Sequence, residues 1–312
     1  MKIAVIGTGA MGSLFGALLS SVSDVCLIGN FEEHVRAIKK DGLVIEKTDG
    51  TSEKYHFPVT TDSSVLGAEF DLAIIFTKSY QTKEAAVLAK PLLNREGLAL
   101  TLQNGLGNLD VIADAVGRER AVAGVTSHGA TLTDPGHVRY AGQGPTHIAT
   151  SPRHARSLEQ IAEIFKSAGV DVSLSENLDS LIWGKLLINV GINAMTAILR
   201  VTNGVLGITR ECEKIMAKAV SEAAAVSNAL GIELPYDDPL EQVKKVCSDT
   251  FGNRASMLQD ILRGVQTEVG VINRAIVKKG EELGISTPYN VFLSEIIEAL
   301  EATSENRIQQ AG

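Results

Sequence analysis

Lys2-Ile3-Ala4-Val5-Ile6-Gly7-Thr8-Gly9-Ala10-Met11-Gly12 decides how the first half of this sequence folds. Lys2 to Ile6 is a short apolar run and predicts a buried strand. Directly after the glycines, Met11, Leu14, Phe15, Leu18 and Leu19 recur at helical spacing. Strand, G-x-G-x-x-G, helix is the order that a dinucleotide-binding turn requires. Gly7 permits the tight turn, Gly9 lets the backbone approach a pyrophosphate, and Gly12 lets helix and strand pack closely. Thr8, Ala10 and Met11 complete the turn, and the helix N-terminus offers N–H groups to phosphates.

Further strands are expected at Asp24 to Gly29, Phe70 to Phe76, Leu98 to Leu102, Ala121 to Val125 and Val170 to Leu174. Each ends where an α/β sheet presents ligand-binding groups. Asn30 follows the second strand, the position that meets the adenosine ribose. It is neutral and selects neither a 2′-hydroxyl nor a 2′-phosphate. Lys78 follows the Phe70 strand, and Gln103-Asn104-Gly105 the Leu98 strand. His128 is a candidate acid or base by type, but with no partner in the sequence it reads as a structural, hydrogen-bonded histidine. Val138 to Ala141 and Thr146 to Ala149 predict an antiparallel pair across Gly142 to Pro145.

After Ser175 the patterns become helical. One boundary is expected near residue 176, giving domains 1–176 and 177–312, with Ser304 to Gly312 a frayed tail. The 312 residues, 45% hydrophobic and 21% charged, suit two globular domains. A net charge of -8 argues against a nucleic-acid surface. Three scattered cysteines show no metal or disulfide spacing and fit a reducing cytoplasm. No stretch is expected to approach the roughly 20 apolar residues of a membrane span.

Within the helical half, Trp183 to Asn193 is apolar except for Lys185, Asn189 and Asn193. Spacing by four puts these three on one helix face. A lysine there is either a structural ion satisfied by its neighbours or a group facing a polar cleft. Asn203, Asn253, Ser256 and Glu268 form a second polar set. A helical pattern runs from Met257 to Leu283, and Ser256 and Glu268, twelve residues or just over three turns apart, could both be carried by one helix on adjacent faces. A buried Glu268 would pair with Lys185. This supports a hydride-transfer enzyme in which a dinucleotide meets the helical domain at a cleft, and Lys185 protonates a carbonyl oxygen.

These motifs resemble the ketopantoate reductases over nearly the whole chain. The resemblance rests on Gly7-x-Gly9-x-x-Gly12, Lys78, Asn104-Gly105, Lys185-x3-Asn189-x3-Asn193 and Asn203-Gly204. It continues through Asn253-Arg254-Ala255-Ser256-Met257-Leu258-Gln259-Asp260 and Thr267-Glu268. It implies an α/β fold: an N-terminal Rossmann-like domain followed by an all-helical domain like the C-terminal domain of 6-phosphogluconate dehydrogenase. It also implies reduction of 2-dehydropantoate to (R)-pantoate in pantothenate and coenzyme A biosynthesis. Lys185 and Glu268 then match catalytic positions. Asn104, Lys185, Asn189, Asn193, Asn203, Asn253 and Ser256 match substrate contacts. Asn30, Lys78, Asn104, Ala130 and Glu268 join the glycine turn near the cofactor. Members preferring NADPH commonly carry Arg where this chain has Asn30, which removes the obvious 2′-phosphate partner and leaves NAD(H) open, while family habit alone favours NADP(H). The resemblance implies a cytoplasmic enzyme with a small 2-oxoacid substrate, no metal, no nucleic acid and no membrane; monomer and homodimer are both allowed. The rival readings are a reductase of another 2-oxoacid and a dinucleotide-sensing protein without turnover.

Overall fold

The computed structural model describes residues 1–306; the end of the expected frayed tail, 307–312, lies outside the described residues. The chain forms two compact units: 1–103 with 107–178, and 104–106 with 179–312. The expectation of a single change of domain after residue 176 makes no provision for Asn104–Leu106.

The first unit is built on an eight-stranded sheet. In chain order its strands and those of a second sheet are β1 (Lys2–Ile6), β2 (Asp24–Ile28), β3 (Leu43–Glu46), β4 (Ser52–Tyr55), β5 (Val59–Thr60) and β6 (Phe70–Ile75). There follow β7 (Leu93–Thr101), β8 (Ala121–Thr126), β9 (Gly129–Asp134), β10 (His137–Gly142), β11 (Thr146–Ala149) and β12 (Val172–Ser175). The main sheet runs β12-β11-β8-β7-β6-β1-β2-β5. It is parallel except between β8 and β11. From β5 to β8 this is the doubly wound order of dinucleotide-binding folds. The order reverses at β1, so the carboxyl ends of β1, β2 and β6 border the switch point where such sheets bind ligands.

Both faces of the sheet are covered, which is why its strands read as continuous apolar runs. Ile3, Val5, Leu27 and Ile74 pack with Leu14 and Phe15 of α1 (Ala10–Ser20). Ala4, Ile6, Ala73 and Ile75 face the other way, toward Ala86 and Ala89 of α3 (Thr82–Leu92) and Ile112 of α4 (Asn108–Val116). Between these in sequence lies α2 (Glu32–Asp41), and α5 (Ala155–Ser167) leads into β12.

A smaller sheet, β4-β3-β10-β9, joins the Leu14 side of this core. It corrects one expectation. β10 pairs with β9 and β3, whereas β11 pairs with β8 and β12 in the main sheet, so the two are not partners. The tighter turn at Pro135-Gly136, with Gly136 at φ 81°, closes the hairpin instead.

His34 of α2 ties this sheet to α1. Its Nδ1 accepts from the Gly136 N–H at 2.9 Å, and its Nε2 lies 2.9 Å from Ser13 Oγ. The ring is fully buried. The first bond requires a neutral imidazole protonated on Nε2, which then donates to Ser13. Burial pushes the pKa down from 6.5 to about 4. Unfolding therefore takes up a proton between those values. The stabilisation is complete above pH 6.5 and is lost as pH falls through about 4. At about 1.36 kcal/mol per unit, it is worth about 3 kcal/mol. Urea unfolding at pH 7 and pH 4 should show His34→Asn losing less stability with acid than the unsubstituted protein, by about that amount. Equal losses would reject the assignment.

The second unit is helical: α6 (Leu178–Leu199), α7 (Asn203–Ile208), α8 (Arg210–Ala229), α9 (Pro239–Asp249), α10 (Ser256–Arg263), α11 (Asn273–Leu283) and α12 (Pro288–Ala302). α6 is long and apolar enough to cross a membrane by length and composition, which corrects the expectation that no stretch approaches this. Lys185, Asn189 and Asn193 interrupt the run in sequence without lowering its mean hydropathy enough. In the fold, Leu186, Leu187, Val190 and Ile192 sit in the core of the unit. The expected helix from Met257 to Leu283 is also corrected. Gly264, left-handed at φ 67°, ends α10, and a 3-10 turn at Val269–Val271 precedes α11. Ser256 and Glu268 are thus on different elements.

Candidate active site

The phosphate turn of the first unit has the geometry its glycines imply. Gly7 has φ 116°, and a Cβ there would lie 2.8 Å from the backbone of Phe76 and Thr77. A Cβ on Gly12 would lie 1.9 Å from the Gly7 carbonyl oxygen, so α1 can approach β1 this closely only with glycine. Gly9 differs: a Cβ there would meet no atom of the described residues within 4 Å. Nothing in the protein demands glycine at this position, whereas a backbone-hugging phosphate would. Gly9 caps α1 without any side-chain bond, leaving the helix start to an anion. The residues present therefore fit a dinucleotide.

Asn30 stands exposed just beyond β2. Arg36 and Lys40 point to solvent on α2 beside Glu32 and Asp41. Lys78 is partly buried after β6. Gln103, after β7, holds two of these loops together. Its amide donates to the Thr77 carbonyl at 2.7 Å and to Thr82 Oγ1 at 2.9 Å. Ala130 lies in the smaller sheet, opposite Tyr140. His128 bonds Tyr140 through Nδ1 and stacks edge-on against Phe15. That is a packed, hydrogen-bonded histidine, and burial lowers its pKa.

In the second unit Lys185 and Asn189 are partly buried on α6 and Asn193 is 5% exposed. The residue before the lysine is closely packed. Gly184 lies under Pro235, where a Cβ would come within 2.6 Å, and its carbonyl accepts from the Tyr236 hydroxyl at 2.7 Å. Burial pushes the Lys185 pKa down to about 8, against the opposing pull of Glu268. Glu268 is 7% exposed, at the start of the 3-10 turn. The two expected charges are therefore electrostatically coupled, and burial outweighs the attraction.

Asn203 and Asn253 also come together. The Asn203 N–H donates to the Asn253 carbonyl at 3.0 Å, and Gly204 N–H to Phe251 at 3.1 Å. Any Cβ on Gly204 would enter the Phe251 ring, at 2.0 Å. The Asn203 amide nitrogen is committed to Thr250 Oγ1 at 2.9 Å, while its buried Oδ1 has no partner among the described residues. Asn253 and Ser256 are exposed.

Sequence reasoning missed what steadies α6. Asn273 and Asn290 are fully buried. Asn273 donates to Asn290 Oδ1 at 3.0 Å and to the Val190 carbonyl at 3.4 Å. Asn290 donates to the Ala219 carbonyl at 3.0 Å and to Glu222 at 2.8 Å. One polar network thus joins α6, α8, α11 and α12. Its signal, two asparagines in apolar helical stretches, is present in the sequence without revealing the partners. Gln103 was likewise legible only as an amide at a strand end.

Comparisons with known proteins agree in both halves. Residues 3–153 match the family model for ketopantoate reductase PanE/ApbA, and residues 177–301 match that for its C-terminal part. The 2-dehydropantoate 2-reductase of Halobacterium salinarum is 35% identical, the alignment covering 95% of this chain and 98% of that protein. That of Pyrococcus horikoshii is 37% identical, over 97% and 98%. A structure of D-mandelate dehydrogenase with NADH and anilino(oxo)acetate superposes with TM-score 0.89 at 32% identity, covering 98% of this chain and all of that one.

Proposed function

The chain belongs to the ketopantoate reductase family, and on that premise we propose that it is a 2-dehydropantoate 2-reductase of pantothenate and coenzyme A biosynthesis. The unit of residues 1–103 and 107–178 serves as the dinucleotide-binding domain, and that of 104–106 and 179–312 as the substrate domain. A bound reduced nicotinamide supplies the hydride, held through the Gly7 to Gly12 turn, Asn30, Lys78, Asn104 and Ala130. The protein supplies the proton. Lys185 donates it from Nζ to the ketone oxygen as negative charge develops there. Glu268 keeps the ammonium charged against its burial. Asn189 and Asn193, one and two turns along the same face, grip the oxoacid with Asn104, Asn253 and Ser256. Asn203 joins this set by the family resemblance. The observation that carries this reading is the partly buried Lys185, set on one face of α6 with Asn189 and Asn193 and attracted by the buried Glu268, its pKa pushed down by burial to about 8. Such a lysine is mostly protonated at neutral pH yet acidic enough to give its proton up. The free, buried state of Cys26, Cys212 and Cys247 supports a cytoplasmic location.

NADP(H) is the cofactor we assign from the family resemblance, with weaker discrimination than an arginine at position 30 would give. A second reading, an NADH-dependent reductase of another 2-oxoacid, is favoured by Asn30 and by the likeness to D-mandelate dehydrogenase. Initial rates with 2-dehydropantoate and a panel of other 2-oxoacids, each with NADPH and NADH, separate the two. The expected result is fastest turnover of 2-dehydropantoate with NADPH. Activity confined to another oxoacid would overturn the substrate, and binding of dinucleotide with no turnover would make the protein a sensor. Asn30→Arg should raise the preference for NADPH by about tenfold or more, the worth of a charged hydrogen bond.

A further inference from the structure

We propose that the three residues Asn104-Gly105-Leu106 are a positioning strap for the proton donor: they seat the Val269–Val271 turn and thereby hold Glu268 against Lys185. The inference rests on the reading of Lys185 as the acid. Gly105 has φ 84°, a conformation that side chains rarely adopt. Its α-carbon also lies directly on the turn. A Cβ there would sit 2.5 Å from the Val271 carbonyl oxygen and 2.5 Å from Val271 Cγ2. The next residue fastens the contact, Leu106 N–H donating to that same Val271 carbonyl at 3.0 Å. Leu106 and Val271 both pack against the core of the helical unit.

The turn so held is the one Glu268 begins. Val271 N–H donates to the Glu268 carbonyl at 3.1 Å. On its other side, Thr267 is tied by its N–H to Glu301 at 2.8 Å, and its hydroxyl accepts from Val269 N–H at 3.2 Å. Glu268 thus has its backbone clamped from α12 and from the strap. The attraction between a carboxylate and an ammonium in a poorly hydrated site is steep in distance. A small displacement of the turn would therefore change how far Glu268 offsets the burial of Lys185. Asn104, a substrate contact in our reading, is carried on the same strap, so the oxoacid and the partner of the acid share one frame.

Gly105→Ala should push the turn away. Weaker attraction from Glu268 leaves burial less opposed, so the Lys185 pKa falls. The basic limb of kcat/KM for oxoacid reduction should move from near pH 8 to lower pH by up to about one unit. Glu268→Gln sets the full extent of that shift. Val271→Ala, which loosens the contact without adding bulk, should give a smaller shift in the same direction and decides the matter if Gly105→Ala does not fold. Asn104→Ala should raise KM and leave the limb in place. Profiles are taken on whichever oxoacid is reduced fastest. An unmoved limb in the folded variants, with only stability or KM altered, overturns the strap. A limb absent from the unsubstituted enzyme instead overturns Lys185 as the acid, and the strap with it.

Discussion

Lys185→Met should lower kcat for oxoacid reduction about a thousandfold while dinucleotide binding stays within a few-fold of normal. Methionine keeps the length of the side chain beside Leu186 and Leu187, which are buried, so packing is largely preserved. What is removed is the proton and the charge opposite the ketone oxygen. The pH dependence gives a second, independent handle. Reduction requires the ammonium form, so kcat/KM should fall tenfold per unit as pH rises beyond about 8. The reverse reaction requires the neutral amine, so oxidation of the hydroxyacid should rise with pH and level off above the same value. Near-normal turnover by Lys185→Met, or a reduction profile flat to pH 10, would remove Lys185 from the chemistry.

The second large effect separates two glycines that look alike in the motif. Gly12→Ala should cost about 3 kcal/mol of stability, at the upper end of ordinary overpacking. It should also abolish measurable dinucleotide binding. The new Cβ meets the Gly7 carbonyl at 1.9 Å, and both are backbone-anchored, so no rotamer relieves the overlap. Gly7 cannot retreat, because Phe76 and Thr77 lie behind it and its N–H is bonded to the Ile28 carbonyl at 2.8 Å. Gly9→Ala should leave folding nearly intact, costing about 1 kcal/mol or less as a poorer helix cap. Its φ of -79° suits alanine, and the methyl group touches no atom of the described residues. Binding should nonetheless weaken about a hundredfold as the methyl displaces phosphate from one or two charged hydrogen bonds. Thermal unfolding beside titration of intrinsic or cofactor fluorescence reads both quantities. Unaltered affinity in Gly9→Ala would mean that phosphate does not approach there.

These contrasts mark what a single sequence can disclose. The phosphate turn was legible because its constraints are local: three glycines, a strand and a helix within about twenty residues specify one backbone path. The Lys185 face was legible for the same reason, a helix fixing the spacing of side chains along it. The separation of Ser256 from Glu268 was obscured because Leu258, Ile261, Val265, Val269 and Ile272 sustain apolar spacing across Gly264. The period alone does not register a left-handed cap. The partners of β10 and β11 are set by contacts distant in sequence, His34 with Gly136 among them. Asn273 and Asn290 find their partners 17 to 83 residues away. Their burial follows from tertiary packing that no local pattern contains.

The strap bears on how such a protein can be taken apart or recombined. The chain passes between its two units at 103/104, 106/107 and 178/179, so a cut after residue 178 does not yield two whole pieces. A fragment beginning at Asp179 would leave the Val271 carbonyl without its donor and Leu106 missing from the core. A chimera that borrows its helical half from a homologue would press a foreign loop against Val271 unless Asn104–Leu106 travels with it. Where the unit of folding is interleaved in this way, the unit of inheritance is the whole chain.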